Sequence, residues 1–212
     1  VTLGLVSSCY GAYDTLACPP SAVDDAVMVT DSQHTPAGWR RVFERRPWVP
    51  PRLAAKHAKA RPDRYTDADV IVWADANLTI TGEIVAWAGE PGPGTLVAYR
   101  HPWLTDVTAE AQWAVQHEPA KYQGMALAAQ AEHYADRTVW PEPDAHVWSG
   151  LLAAHADTWS WFGDAWLAEM VRWGTEDQVS LPPVLRACGV ALDVREQEPP
   201  ESRPYAWRPH AS

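Results

Sequence analysis

Four groups of residues in this chain have types and spacings that can do chemistry. Asp75-Ala-Asn77 places a carboxylate and an amide oxygen two residues apart, directly after an apolar run. Hard divalent cations such as magnesium and manganese take such oxygens, with phosphate and water completing the shell. Asp and Asn are also favoured in strand-end turns for backbone reasons alone, so both readings stand. Asp177-Gln178 offers a second acid with an amide beside it. A carboxylate there can act as a general base or anchor a hydroxyl; it can equally cap a helical turn. Arg52, Lys56 and Lys59 recur at i, i+4 and i+7, so they share one helical face. On that face Arg52 and Lys56 either meet phosphate oxygens or are simply solvated. Arg100-His101-Pro102 adds another candidate phosphate partner in Arg100 and a His that lines a site or caps a strand.

These groups need elements to hold them. Leu3 to Ser8 and Ala26 to Asp31 read as buried strands ending in a loop and an acid. Pro51 fits a first helical position, with a short helix to Ala60 that Pro62 ends. Asp69 to Asp75 is a continuous apolar run, as in a central strand covered on both faces. Thr95 to Tyr99 follows a Pro-Gly-Pro-Gly turn as a further strand. The spacing of Tyr122, Ala126, Ala129 and His133 predicts a helix over about 120–136. Val147 to Leu152 reads as a strand, and Phe162, Trp166, Met170 and Trp173 predict a helix over 159–173 stopped by Gly174. After Asp177, a helical turn is expected to break at Pro182-Pro183, with a second short helix to Cys188. Alternating strands and helices imply an α/β sandwich with a mainly parallel sheet, whose ligands bind beyond the carboxyl ends of the strands. Asp31, Asp75 and Arg100 fall at such ends.

Bulk properties narrow the partners. The 212 residues suit one domain, expected over 1–195, with a Pro/Arg-rich tail over 196–212 that can fold across the site. The net charge of -10 gives no strong nucleic-acid signature, because phosphate backbone is held by Lys and Arg. Three cysteines without paired-ligand spacing predict neither a disulfide framework nor a zinc site and fit a reducing cytoplasm. No run approaches the roughly 20 apolar residues of a membrane span, and no signal peptide is visible. Val1 fits a GTG start or a trimmed chain, and Ala-rich, Arg-over-Lys usage fits a GC-rich bacterial or phage source. Gly-rich phosphate loops, His-Glu-x-x-His and Gly-x-Ser-x-Gly are absent. The 13 Trp against 2 Phe suit either core filling or flat sugar faces.

The order of the motifs carries a resemblance. A basic helix followed by Val70-Ile-Val-Trp-Ala-Asp-Ala-Asn77 resembles the strand and Asp-x-Asp-type motif of GT-A glycosyltransferases. More closely, Lys56, Trp73-Ala-Asp75, Arg100-His-Pro102, Gln130 and Tyr134 resemble, in that order, a glycosyltransferase-like family of plant and bacterial proteins. Glu176-Asp-Gln-Val-Ser-Leu181 is similar to that family's Arg-Asp-Gln-Leu-Ser-Phe, with Glu176 in place of Arg, and Asn77 replaces a second Asp. Val147-Trp-Ser-Gly-Leu151 resembles a Ser-Gly strand of sugar transferases. The resemblance covers about residues 50–186.

It implies a GT-A-like (Rossmann-like) α/β/α sandwich that moves a sugar from a nucleotide-sugar donor to an acceptor hydroxyl, on a glycan or a modified nucleobase. It implies Mn2+ or Mg2+ at Asp75 and Asn77, with a late His, here His210, as a further ligand. Tyr10 and Gly11 in the first loop, with Lys56, Asp75, Asn77, Arg100 and His101, would bind the donor. Asp177 and Gln178 would be the catalytic pair. Two other classes remain as alternatives: an inactive, Trp-rich carbohydrate-binding protein, and a glycoside hydrolase with two carboxylates flanking a glycosidic bond.

Overall fold

The computed structural model describes residues 1–11, 14, 17–136, 139–140, 143–198 and 202–208. Its centre is a seven-stranded sheet. Strands β1 (Leu3–Cys9), β2 (Asp25–Thr30) and β3 (Arg40–Phe43) are followed by helix α1 (Pro51–Ala60) and β4 (Val70–Ala74). Next come β5 (Leu78–Ile80), α2 (Ile84–Ala88), β6 (Thr95–Arg100), α3 (Val107–His117), α4 (Pro119–Tyr122) and α5 (Leu127–Ala135). The chain continues through β7 (Val147–His155), α6 (Ala156–Trp173), α7 (Asp177–Ala187), β8 (Ala191–Arg195) and β9 (Tyr205–Trp207). The sheet order is β3-β2-β1-β4-β7-β6-β8, while β5 and β9 pair separately. Every strand pairing in the large sheet is parallel except those of β7, which runs against both β4 and β6. The expected α/β class with a mostly parallel sheet is therefore present.

Strand alternation explains why β4 is apolar throughout. Ile71 and Trp73 face a layer formed by α1, α6 and α7, packing with Trp159, Phe162, Trp166 and Leu185. Val70, Val72 and Ala74 face the other way, toward α2 and the β5–β9 ribbon, with Leu78, Ile84, Trp87 and Tyr205. Part of the tryptophan excess is thus core material: Trp159 and Trp166 are fully buried. Close contact between α1 and α6 is possible because residue 163 has no side chain. A Cβ on Gly163 would overlap the carbonyl oxygen of Ala60. Helix α1 begins with Pro51 at its first turn, as the sequence predicts, and ends before Pro62.

Two expectations are corrected. The predicted helix over 120–136 is two helices, α4 and α5, separated at Gly124, whose φ of 79° is left-handed. Helix α7 runs unbroken through Pro182 and Pro183. Each internal proline costs about 3 kcal/mol. Val179, Leu181, Val184 and Leu185 are fully buried. Burial stabilises such side chains by roughly 1.5–3 kcal/mol each, enough to offset both prolines. The Pro/Arg-rich segment after 196 contains a strand. β9 pairs antiparallel with β5, with Thr79 opposite Ala206. Helix α3 and strands β3, β5 and β8 carry no clear periodic signal in sequence. Among the described residues no helix is long and apolar enough to cross a membrane.

Candidate functional site

The carboxyl ends of β1, β4 and β6 share one rim. Because β7 is antiparallel, its first residues reach that rim too: Trp148 pairs with Tyr99, and Leu151 with Ala74. A cavity of about 660 Å³ opens there. Helix α1 supplies one wall with Arg52, Lys56 and Lys59, and Lys121 adds a fourth cation. All three lysines of the chain line this cavity, in a protein that otherwise uses arginine.

Asp75 follows β4 and is partly open, with its side chain 38% exposed. Its Oδ1 accepts hydrogen bonds from Lys59 Nζ (3.1 Å) and Trp73 Nε1 (2.9 Å). Its carbonyl accepts from Leu78 N–H at 3.0 Å, closing a tight turn over Ala76 and Asn77. The turn reading of Asp75-Ala-Asn77 is therefore present, and the turn lies at the cavity. Asn77 also lines the cavity but is buried. Its carbonyl accepts from Arg208 N–H (2.8 Å), and Arg208 Nη2 donates to Ala76 O (2.8 Å), so residues beyond β9 brace the turn.

Lys59 links the two acids predicted from sequence. Its ammonium is 1% exposed and lies 2.5 Å from Asp177 Oδ2, 3.1 Å from Asp75 Oδ1 and 3.2 Å from Ser149 Oγ. Burial alone would strip a proton from this lysine, but Asp177 and Asp75 outweigh it and hold the amine charged. Lys56 binds the other oxygen of Asp177 at 2.8 Å. Burial would raise the Asp177 carboxyl, yet Lys56 and Lys59 hold it far below the usual carboxylate range. Asp177 is not the cap of α7. Glu176 is, and its Oε1 accepts from Gln178 N–H at 3.3 Å.

Glu176 has no cation within bonding distance among the described residues. Its Oε2 accepts from the phenol of Tyr122. Burial first, then Asp177 and Glu110, pushes its carboxyl up to about 7. Burial and Glu176 likewise push the Tyr122 phenol far up, so it stays a donor.

Behind Gln178 lies a buried group, His101, Glu110 and His146. Its ligand atoms all lie within 4.8 Å of one another, so it could hold a metal ion. The surrounding bonds describe a hydrogen-bonded cluster instead. Glu110 Oε2 meets His146 Nε2 at 3.0 Å and His101 Nε2 at 3.4 Å, while its Oε1 accepts from Gln178 Nε2 at 2.9 Å. A metal-bound His normally donates its other ring N–H to an acceptor. Here His101 Nδ1 faces a donor, Leu104 N–H at 3.0 Å, which puts its proton on Nε2 toward Glu110. Burial lowers His101 to about 4 against the pull of Glu110, so the ring is neutral near pH 7. His146 Nδ1 is buried and has no partner among the described residues. Gln178 is fixed at both ends, since its Oε1 accepts from Ser149 N–H at 3.2 Å.

The remaining predicted residues divide. Lys56, Asp75, Asn77, His101, Asp177 and Gln178 all line the cavity. Arg100 does not: it is half exposed and pairs with Glu196 at 2.8 Å on the surface. Tyr10 packs in the core with its phenol on Glu44 (3.3 Å), and Gly11 N–H is taken by Asp31 (3.1 Å); neither lines the cavity, where Ser8 and Asp14 stand instead. A loop position identifies neither the direction nor the depth of a side chain. His210 lies outside the described residues. Sequence reasoning missed Lys59, Glu110, Glu176 and Tyr122 as cavity residues. Lysine scarcity was the one signal that marks Lys59. Glu110 and Tyr122 sit on helices whose packing no short motif encodes. No family model matches this chain, and no curated protein matches it.

Proposed function

We propose that this chain is a GT-A-type glycosyltransferase that moves a sugar from a nucleotide-sugar donor to an acceptor hydroxyl, assisted by Mn2+ or Mg2+. The observation that carries the reading is the state of Asp75. One oxygen is pinned by Lys59 and Trp73, while Oδ2 takes no hydrogen bond among the described residues of a carboxylate at the cavity edge. A single free carboxylate oxygen with a neighbouring amide, Asn77, suits a cation that keeps waters and takes diphosphate oxygens as its other ligands. Bound there, the cation would neutralise charge developing on a departing nucleoside diphosphate. Strand β7, antiparallel within the seven-stranded sheet and inserted between β4 and β6, also supports the reading, because it brings Trp148 and Ser149 to the same rim.

The chain's own residues then take distinct roles. Lys59 orients Asp75 and Asp177 rather than meeting phosphate, since both acids already saturate it. Lys56, 17% exposed, is placed to meet anionic oxygens in the cavity, and Arg52 adds a second positive charge to the same wall. Asp177, held ionised by two ammonium groups, is a weak base and serves to position the lysines. Glu176, with a proton affinity near neutrality, is the better proton acceptor for an incoming hydroxyl. A glycoside hydrolase needs one protonated and one ionised carboxyl across the bond it cuts. Asp177, held ionised by Lys56 and Lys59, cannot be the protonated member of such a pair.

Thermal unfolding with UDP, GDP and dTDP, each with Mn2+, tests the proposal. One diphosphate should stabilise the protein only in the presence of the cation, and Asp75→Asn should remove the effect without unfolding the chain. No stabilisation by any of the three would overturn it.

A further inference from the structure

We propose that Trp103 and Trp207 form the acceptor subsite of this cavity and that the acceptor is a neutral glycan, stacked by its C–H faces on the two indoles. The assignment of these residues to an acceptor, rather than to a sugar ligand alone, rests on the transferase reading. Trp103 and Trp207 are 66% and 55% exposed, while the neighbouring Trp73 and Trp148 are buried. An indole offers about 150–250 Å² of mostly apolar surface. Leaving it in water forgoes burial energy that indoles such as Trp159 and Trp166 collect. Other exposed indoles exist, Trp48 and Trp161, but neither lines the cavity.

Both platforms are fixed before any ligand arrives. Trp103 stands edge-on to His101, with centroids 5.1 Å apart and planes at 83°. His101 is itself held by Leu104 N–H and Glu110. Trp207 sits 5.1 Å from Trp148 and is anchored by the β5–β9 pairing, where it faces Leu78. Rigid aromatic faces lose little entropy on binding. Sugar rings present patches of polarised C–H groups that suit the negative face of an indole, with hydroxyls left over for polar neighbours. Gln197 and Arg203 lie in the cavity wall to meet them.

The charge layout separates two halves. Arg52 and Lys56 come from α1, which packs beside β1, and a diphosphate belongs there, while Arg203 is one cation on the indole side. The indoles come from the far side, from the loop after β6 and from β9. A nucleic-acid acceptor would bring phosphates to a chain of net charge -10. A neutral glycan meets no such repulsion.

The test titrates cellohexaose, chitohexaose, mannohexaose and laminarihexaose, with a ten-nucleotide oligothymidine as contrast, into wild type, Trp103→Ala and Trp207→Ala by calorimetry. At least one hexasaccharide should bind wild type, and each variant should weaken it by about tenfold or more. Trp103→Phe should recover part of the loss. Both side chains are exposed, so unchanged thermal midpoints are expected. Nucleoside diphosphate stabilisation with Mn2+ should be the same in all variants. The proposal falls if none of the four sugars binds, if binding ignores both substitutions, if the oligothymidine is the ligand, or if the variants lose the diphosphate instead. Sugar binding that depends on the indoles in a protein no diphosphate stabilises would leave the glycan platform standing and remove the transferase.

Discussion

Lys59 Nζ lies 2.5 Å from Asp177 Oδ2, with both side chains almost wholly buried. That pair decides the architecture of the cavity floor, because the same ammonium reaches Asp75 and so ties α1, α7 and the end of β4 together. Lys59→Met should be strongly destabilising. It leaves Asp177 buried with Lys56 alone, and breaking a buried pair from one side costs about 3–5 kcal/mol. Adding Asp177→Asn to it should restore part of the loss, because the uncompensated charge is gone. Urea unfolding of the single and double variants measures this. A single variant with the wild-type midpoint would show that the ion pair carries no structural weight.

The pH dependence of stability should expose Glu176. Its folded carboxyl sits at about 7, raised from 4.5 by burial and by Asp177 and Glu110. Below pH 4.5 it is neutral in both states, so its contribution to stability is fully present. As pH rises through about 7 the folded protein must ionise it, and up to about 3 kcal/mol is lost. Asp177 has the opposite sign: its folded value is depressed, so its contribution is lost only in acid below the ordinary carboxylate range. Between pH 5 and 8 the Glu176 effect therefore stands alone of the two. Glu176→Gln should gain on wild type steadily across that interval in urea unfolding. Parallel curves for the two proteins would assign the carboxyl an ordinary titration.

The two candidate cation positions are separable. Zn2+ or Mn2+ bound by His101, Glu110 and His146 would have to displace the Leu104 hydrogen bond or leave His146 Nδ1–H buried without an acceptor. Stabilisation by Mn2+ with a nucleoside diphosphate should therefore survive His146→Asn, after correction for the variant's own lower midpoint, and vanish in Asp75→Asn. Loss in the His146 variant with retention in the Asp75 variant would move the metal to the buried cluster. Overnight dialysis against a chelator should leave the wild-type midpoint unchanged, since Glu110 already holds both imidazoles and Gln178 by direct polar contacts.

Sequence reading reached the parts of this protein that are periodic or punctuated. The continuous apolar run of β4 and the Pro51 start of α1 were legible because burial on both faces and fixed proline geometry leave marks on consecutive residues. The placement of Asp75 and Asp177 in one cavity was legible from the order of motifs at strand and helix ends. What connects them was not. Lys59 looked like one more cation on a solvated helix face, and only tertiary packing shows it buried between two acids. The unbroken α7 misled for a related reason, since local proline rules gave way to the burial of Leu181 and Leu185. Arg100 was misplaced because a strand-end position does not say to which side its side chain turns.

Gly150 should control the acceptor platform without touching a ligand. The indole of Trp148 folds back over residue 150, and a Cβ there would overlap its ring. The Trp148-Ser149-Gly150 sequence on β7 is thereby explained: the glycine gives the indole room, and Ser149 between them faces Lys59. Trp148 in turn packs against Tyr205 and Trp207, with centroids 5.1 Å away in each case. Gly150→Ala must swing the indole out of its place. Overpacking of this kind typically costs 1–3 kcal/mol. Trp207 should lose its support, and hexasaccharide affinity should fall several-fold while diphosphate stabilisation persists. A Trp148→Leu background supplies the control. With the indole already removed, Gly150→Ala has nothing left to displace, so its effect on sugar affinity should largely disappear in the double variant. Additive losses in that cycle would show that Gly150 acts through the strand backbone and not through Trp148.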